Sequence, residues 1–331
     1  MTINPKQHKG NAPAPINWLV DWAHPSDEIE LMALFRSAFG QDMPPRLWRW
    51  KYAGLDPSGA LVRRDGRLVA FYGGTPRDIS LFGRPARAVQ IGDIMVHPDE
   101  RGILTRKGAF FLAATTFLER YVGDGKAFPL AFGFPSNRHN RLGERLGLYA
   151  KVGEIMRVTW PALKAWPSPM LRIRPLDTGM GAAVDRLWAE MAAALSHQIV
   201  GVRDFNYLRR RYLEHPTISY RVFLASSRLA STPFGVMVVR ELDDEIELVD
   251  IIAPPQRLAA LVKIVRRLAW NLDKPQAYAW ISSQHAALLA AGSGVISPME
   301  ISVPTCAWTQ GTAPGELYDR WWLMSGDTDF H

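Results

Sequence analysis

One pattern occurs twice in the chain and limits its possible folds more than any other feature: an apolar strand that carries one aspartate, ends at a proline and runs on toward a helix. "IGDIMVHP" at residues 91–98 is echoed by "LVDIIAPP" at residues 248–255. Upstream of each lies a basic and aromatic stretch, "WRWKYAGLDP" against "LRRRYLEHP", and downstream "FGFPSNRHNRLGERLG" stands against "AWISSQHAALLAAGSG". Spacing is kept as well, since Tyr52 precedes Asp93 by 41 residues and Tyr212 precedes Asp250 by 38. Two copies of one unit in a single chain is the simplest account. With 331 residues and 47% hydrophobic side chains, the chain is long and apolar enough for two cores.

Within the first copy "NWLVDWA" predicts a strand, and "SDEIELMALFRSAF" predicts a helix capped by Ser26, with Ile29, Leu31, Met32, Leu34, Phe35 and Phe39 at helical spacing. Three β-rich runs between residues 60 and 98 are joined by Asp65-Gly66 and Phe82-Gly83-Arg84, which are hairpin signals, so an antiparallel meander ending at Val96 is expected. A helix, the strand "FPLAFGF", a helix from Ser136-Asn137 to Gly147 and the strand "YAKVGEIMRVTW" follow. The second copy repeats the order with "LRIRPLD", "GAAVDRLWAEMAAAL", a hairpin, "EIELVDIIAPP" and "QRLAALVKIVRRLAWNL". The polar, Pro-rich start and the prolines Pro161, Pro167 and Pro169 divide the chain. The expected division is a flexible lead over 1–16, a first domain over 17–160, a linker over 161–169 and a second domain over 170–331.

Lys and Arg outnumber Asp and Glu by 39 to 32, a net charge of +7. That favours an anionic partner without choosing between nucleic acid, a membrane surface and a phosphorylated cofactor. Cys306 is the single cysteine, so folding is expected to be independent of oxidation. The first residues lack the apolar centre of a signal peptide, and no apolar run has the length of a membrane helix; a cytoplasmic protein with no membrane insertion is expected. No His-Glu-x-x-His, paired cysteines, Gly-x-Ser-x-Gly elbow or Gly-Lys-Ser loop occurs, so no metal site is expected. "TGMGAAVD" lacks the third glycine of a dinucleotide turn and reads as a helix start. The run "YLRRRY" reads as a solvated helix face, Trp48, Trp50 and Tyr52 as core packing with a substrate wall second, and Cys306 as a small buried hydrophobe.

The order strand, helix, three-stranded meander, charged glycine turn, helix, strand, helix, strand resembles the GNAT acetyltransferase fold. "DIMVHPDERG" resembles that family's strand and pyrophosphate turn, and "GFPSN…RLGL" its next strand and helix. Beyond residue 16 the chain resembles tandem GNAT-like proteins, some of which sit among bacterial surface-polysaccharide genes and have endings similar to "RWWLMSGDTDF". The resemblance implies an α+β fold with mixed sheets: two tandem GNAT-like acyl-CoA acyltransferase folds, the second degenerate. It implies acetyl transfer from acetyl-CoA to the amine of a small-molecule acceptor, without a nucleic acid partner. Asp93 would be the catalytic base and Ile94, Met95 and Val96 the strand beside the pantetheine. Arg101, Gly102, Ile103, Leu104, Thr105, Arg106, Lys107 and Gly108 would form the coenzyme socket, with Asn137 facing the cofactor.

Physical chemistry supports such a socket. A helix N-terminus presents unpaired N–H groups and the positive end of its dipole, where a diphosphate docks. Gly102 would let the backbone approach phosphate oxygens, and Arg101, Arg106 and Lys107 would add charge. In the second copy "APPQRLAALVK" passes from strand to helix with no glycine, and Pro255 removes a donor, so only the first copy is expected to bind acyl-CoA. Departures from the family pattern exist: Leu104 and Arg106 occupy its small-residue places, and Gly143 stands where a tyrosine acid is common, with Tyr149 near it in sequence. Asp93 also has a structural reading, because Asp250 echoes it in a copy without the turn, and Asn137 reads as a helix N-cap. Three functions stay open. An acyl-CoA-dependent N-acyltransferase is favoured by the Arg101-Gly102 turn, a tRNA-dependent aminoacyl transferase-like protein by the charge, and a non-catalytic binding protein on a GNAT frame by Leu104 and Gly143. Sugar amines, polyamines, amino acids and protein amines all fit as acceptors, and oligomeric state is not fixed.

Overall fold

The computed structural model describes residues 17–52, 54–55, 58–102, 105–166, 170–229, 232–291 and 293–328. The expected lead over 1–16, the linker centre at 167–169 and residues 329–331 lie outside them. In the first half, β1 (Trp18–Trp22), α1 (Glu28–Phe39) and α2 (Pro45–Tyr52) precede the meander β2 (Gly59–Arg64), β3 (Arg67–Leu81) and β4 (Arg84–Val96). Then come α3 (Ala109–Tyr121), β5 (Leu130–Phe132), α4 (Asn137–Leu146) and β6 (Tyr149–Pro161). The second half runs β7 (Leu171–Pro175), α5 (Gly181–Ala194), β8 (Ile199–Gly201), α6 (Phe205–Leu208), β9 (Arg221–Ser227), β10 (Pro233–Glu241) and β11 (Glu245–Ile252). It closes with α7 (Leu258–Asn271), β12 (Gln276–Ser282), α8 (Ser283–Ala290), β13 (Val295–Cys306), α9 (Pro314–Leu317) and β14 (Trp321–Trp322).

Local chemistry sets these boundaries. Both meander turns have two consecutive residues at positive φ, Asp65-Gly66 and Phe82-Gly83, the twist that matches paired strands. Ser26 does not cap α1: Pro25 starts a 3-10 turn that holds Ser26 inside it, and Asp27 takes the cap position. Leu31, Leu34 and Phe35 of α1 are buried, whereas Ile29 is 83% exposed. In α4 the cap is Ser136, whose hydroxyl accepts from the His139 N–H, and Gly147 ends the helix in the left-handed region. Asn137 is therefore the first helical residue and not the cap. The run "YLRRRY" is not a solvated face throughout, because α6 passes into a π-helical turn, Arg209–Leu213, that buries Arg211 and Tyr212.

Two seven-stranded mixed sheets form. Sheet one has the order β1-β2-β3-β4-β5, with β8 along the far end of β3 and β14 beside β8; sheet two has the order β13-β6-β12-β11-β10-β9-β7. Strands are traded between the halves. β6 leaves the first half and inserts between β12 and β13, with Met156 opposite Ile281 on one side and Pro298 on the other. In return β8 and β14 extend sheet one, with Val200 opposite Ser80 and Trp322. Helices α1 and α2 bury Leu31, Phe35, Trp48 and Tyr52 on one face of sheet one, and α3 buries Ala114, Phe117 and Leu118 on the other. A third cluster, including Phe132, Val152, Ile199, Val303 and Trp321, seals the halves together.

Candidate active site

β4 and β5 run parallel for three pairs only, Ala88↔Leu130, Val89↔Ala131 and Gln90↔Phe132. Beyond Gln90 they separate, and among the described residues no strand pairs with that edge of β4. A cleft in a sheet with unpaired backbone groups along one side takes an extended ligand as it would a strand. Just past the opening, the ladder to β3 steps from Gly73↔Gly92 to Phe71↔Met95, and the bulge puts Asp93 at φ 48°. Such backbone in a residue other than glycine is costly and collects at working sites. The Asp93 carboxylate accepts from the Tyr52 hydroxyl at 2.8 Å and is ion-paired with Lys51, both partners coming from the end of α2. The carboxylate and the ammonium are 8% and 6% exposed, so water screens the pair little.

The socket residues fall differently. Arg101 and Gly102 do not open onto the helix directly; a further turn ending at Gly108 intervenes, and Gly108 is the N-cap of α3. Gly102 has ordinary φ and open space around it. The Arg101 guanidinium donates to the carbonyls of Val96 and Ala38, tying the turn to the end of α1. Burial, with Arg138 and then Arg101 nearby, holds His139 below the usual imidazole range, so Arg101 stands close to the start of α4. Arg106 lies over Trp308 and beside Gly147 at the far end of α4, and the Lys107 N–H donates to the Thr105 hydroxyl. Ile103 and Leu104 lie outside the described residues. Asn137 accepts from the Ser302 hydroxyl of β13 at 2.6 Å, so the second half fixes its side chain. The room left by Gly143 is filled: a Cβ there would lie 2.0 Å from the ring of Tyr149. The Tyr149 hydroxyl meets that of Tyr72 at 2.7 Å, and burial pushes Tyr149 well above the ordinary phenol range.

The second half repeats the arrangement and then fills it. β11 and β12 pair over Glu245↔Gln276 to Glu247↔Tyr278 and separate, and a bulge opposite β10 precedes Asp250. The Tyr212 hydroxyl donates to Asp250 at 2.7 Å, the counterpart of Tyr52 and Asp93. Here the opening holds the chain's own final segment. Met324 bridges Ile281, the Ser282 N–H donates to the Leu323 carbonyl at 3.0 Å, and the Ser325 hydroxyl donates to the Val249 carbonyl. Gly326 passes so close that a Cβ would lie 2.2 Å from the Tyr212 hydroxyl oxygen. Asp327 joins two guanidiniums, fully buried Arg203 and that of Arg77 from β3, while Arg203 also donates to Asp250 at 2.9 Å. Burial first, then Asp250, raises the Tyr212 phenol well above its ordinary range. Nothing in the sequence pattern placed this segment in the second opening; the bulky Trp321-Trp322 followed by Ser325-Gly326 was the available signal.

Between the halves lies a cleft of about 570 Å³. It is lined by Thr75, Arg77 and Gln90 of sheet one and by Tyr207, Arg210 and Asp327 of the second half, with Arg77 stacked on the Tyr207 ring and paired with Asp327. Trp50 joins the two walls by donating its indole N–H to the Arg210 carbonyl at 3.2 Å, so this aromatic lines the cleft while Trp48 and Tyr52 are buried in the core. Thr75 and Gln90 are directly paired, as are Gly73 and Gly92 one step along the same face. A Cβ on Gly73 would touch the Tyr52 hydroxyl at 2.6 Å, so the cleft floor leads from Gln90 toward Tyr52 and Asp93.

The sequence over residues 20–147 matches the model of the family described as an acetyltransferase (GNAT) domain. No curated protein matches the chain. Solved structures with the same fold include a probable N-acyltransferase from Enterococcus faecalis, at 14% identity and TM-score 0.67 over 88% of this chain and 73% of that one. A GCN5-related N-acetyltransferase from Kribbella flavida superposes at 16% identity and TM-score 0.66 over 88% and 71%. N-myristoyltransferase of Saccharomyces cerevisiae, solved with myristoyl-CoA, superposes at 12% identity and TM-score 0.57 over 95% and 90%. At these identities the likenesses speak for the fold, and the match over residues 20–147 speaks for the sequence. Residues 20–147 thus match the GNAT acetyltransferase domain family, and the chain as a whole, with its separated strands and the bulge at Asp93, shares the fold of GCN5-related N-acetyltransferases.

Proposed function

We propose that the protein is an acyl-CoA-dependent N-acyltransferase that moves an acetyl group to a primary amine seated in the junction cleft. The observation that carries this is the contrast between two equivalent openings, one crossed by the chain's own final segment and the other bordered by an unpaired edge of β4. Residues 17–160 form the acyl-CoA-binding domain in this reading. The β4 edge from Ile94 to Val96 bonds the pantetheine amides, and the N–H groups of the first turn of α3, past Gly108, receive the diphosphate with Lys107 beside them. The second domain, residues 170–331, walls the acceptor cleft and binds no acyl-CoA.

The amine nitrogen bonds to the thioester carbonyl carbon, the carbon–sulfur bond breaks, and coenzyme A leaves as the thiol. The proton that the amine gives up passes through Asp93, which Tyr52 and Lys51 hold in place. Calorimetric titration with acetyl-CoA is expected to give about one site per chain, the number of helix-end sockets beside an unfilled edge. Two equivalent sites, or none at millimolar ligand, would overturn the reading. Thiol release from acetyl-CoA compared with longer acyl-CoA thioesters tests the acetyl assignment, and a preference for a long chain would replace it.

A further inference from the structure

The lining of the junction cleft carries information about the acceptor. Five basic side chains, Lys51, Arg77, Arg87, Arg210 and Arg211, meet three acidic ones, Asp78, Asp204 and Asp327; with Lys51 balanced by Asp93 beneath the lining, four cations remain against three anions. The acidic groups are committed. Asp327 lies between Arg77 and Arg203, Asp78 is 3.5 Å from Arg87, and Asp204 accepts from the Tyr207 N–H to cap α6. Among the described residues no carboxylate pairs with Arg210, which is exposed and donates only a long bond, 3.4 Å, to the Trp50 carbonyl. Arg211 spends two nitrogens on the carbonyls of Gly326 and Thr328. An excess of positive charge in a partly enclosed cleft repels a simple ammonium and a polyamine alike, and draws in an anion.

A second observation points to the same ligand. Gln90 is 8% exposed, and its amide nitrogen has no hydrogen-bond partner among the described residues. A buried donor without an acceptor is destabilising and calls for an explanation. Gln90 lines the cleft at the point where β4 parts from β5, opposite Thr75. An acceptor oxygen in the cleft would satisfy it.

We infer that the acceptor is an amine that also carries an acidic group, a carboxylate or a phosphate. Arg210 binds the acidic group, Gln90 donates to an oxygen of the same molecule, and the amine points along the Gly73–Gly92 floor toward Asp93. This rests on the acyl-transfer reading for the fate of the amine, but the binding claim is separable from it.

Saturation-transfer NMR on the full chain, with matched pairs of amines, tests it. β-Alanine is compared with n-propylamine, O-phosphoethanolamine with ethanolamine, and spermidine serves as the polycation. At least one acidic amine is expected to bind about tenfold or more tightly than its neutral partner, the scale of one charge-assisted hydrogen bond. Which of the two does so distinguishes carboxylate from phosphate. Arg210→Gln should abolish the preference, and Gln90→Leu should weaken the acidic amine by a similar factor while the fold is retained. Equal binding of neutral amines or spermidine, or acidic binding unchanged in both variants, overturns the inference. Acidic amines that bind but release no thiol from any acyl-CoA would instead remove the transferase reading and leave the site standing. Thiol release that favours neutral amines would do the reverse.

Discussion

Replacing Asp93 by Asn separates its two possible duties. As a brace, the carboxylate balances a Lys51 ammonium that is 6% exposed, and neutralising it leaves that charge buried, at a cost of about 3 kcal/mol. As a base, it is needed for turnover beyond that loss. Asp93→Asn is therefore expected to lower the urea midpoint and also to cut kcat by about a hundredfold at a temperature where the variant is still folded, the usual contribution of a positioned base. A normal kcat in the folded variant would leave only the brace. Two histidines make a separate prediction. Burial, with Arg211, lowers His215 to about 4, and burial, with His197, lowers His285 to about 4. Since the unfolded chain takes up these protons first, the stability held by the neutral rings is full above the ordinary imidazole value near 6.5 and is lost as pH falls from there toward 4. Unfolding midpoints at pH 7 and pH 4.5 should differ, and His285→Gln should shrink the difference; an unchanged gap would show that other groups cause it. The equivalence of Tyr52 and Asp93 with Tyr212 and Asp250 was legible in the sequence because their spacing is nearly the same in the two copies, but the bond from each tyrosine to its aspartate was not. The Tyr149 ring filling the room beside Gly143 was not, because a glycine records that space is used and not by what.

At the level of elements, the meander was readable to the residue, since each of its turns uses a pair that accepts positive φ. The destination of β6 was not. Its residues alternate as those of a strand should, but alternation fixes which side chains share a face and leaves the partner strand open. The final segment was hidden for a similar reason: it holds its place through main-chain bonds and through Asp327, a type of residue common on any surface. Asp327→Ala is expected to cost about 3–5 kcal/mol, because fully buried Arg203 would keep Asp250 alone as its counter-charge. Denaturant unfolding measures this, and a loss below about 1 kcal/mol, the scale of a surface pair, would mean that the segment is not fixed in the second opening. At α3, Lys107→Ala should weaken acetyl-CoA about tenfold, one charged contact, without a change in melting temperature. Unchanged affinity would remove Lys107 from the socket.

For the whole molecule, the repeat suggests a boundary at 161–169 that the strands ignore. Cutting there would take β6 from the middle of sheet two and both β8 and β14 from sheet one. Residues 1–166 and 167–331 made separately are therefore expected to lack cooperative unfolding, and to regain it when made together; two independently folded fragments in heat-unfolding scans would contradict this. The same trade of strands has a consequence for how the protein is made. β14 is the last described strand to be synthesised, yet it pairs into the sheet that begins at residue 18, and Ser325 and Asp327 close the second opening from the same stretch. While the ribosome is still adding α7 and β12, neither sheet can be finished. Domain-by-domain folding during translation, the ordinary habit of long chains, therefore cannot complete either sheet before the last strands are made, and the late contacts span nearly the full chain length. An unfinished chain therefore shows chaperones and proteases two open sheets, and only synthesis through residue 328 hides them both.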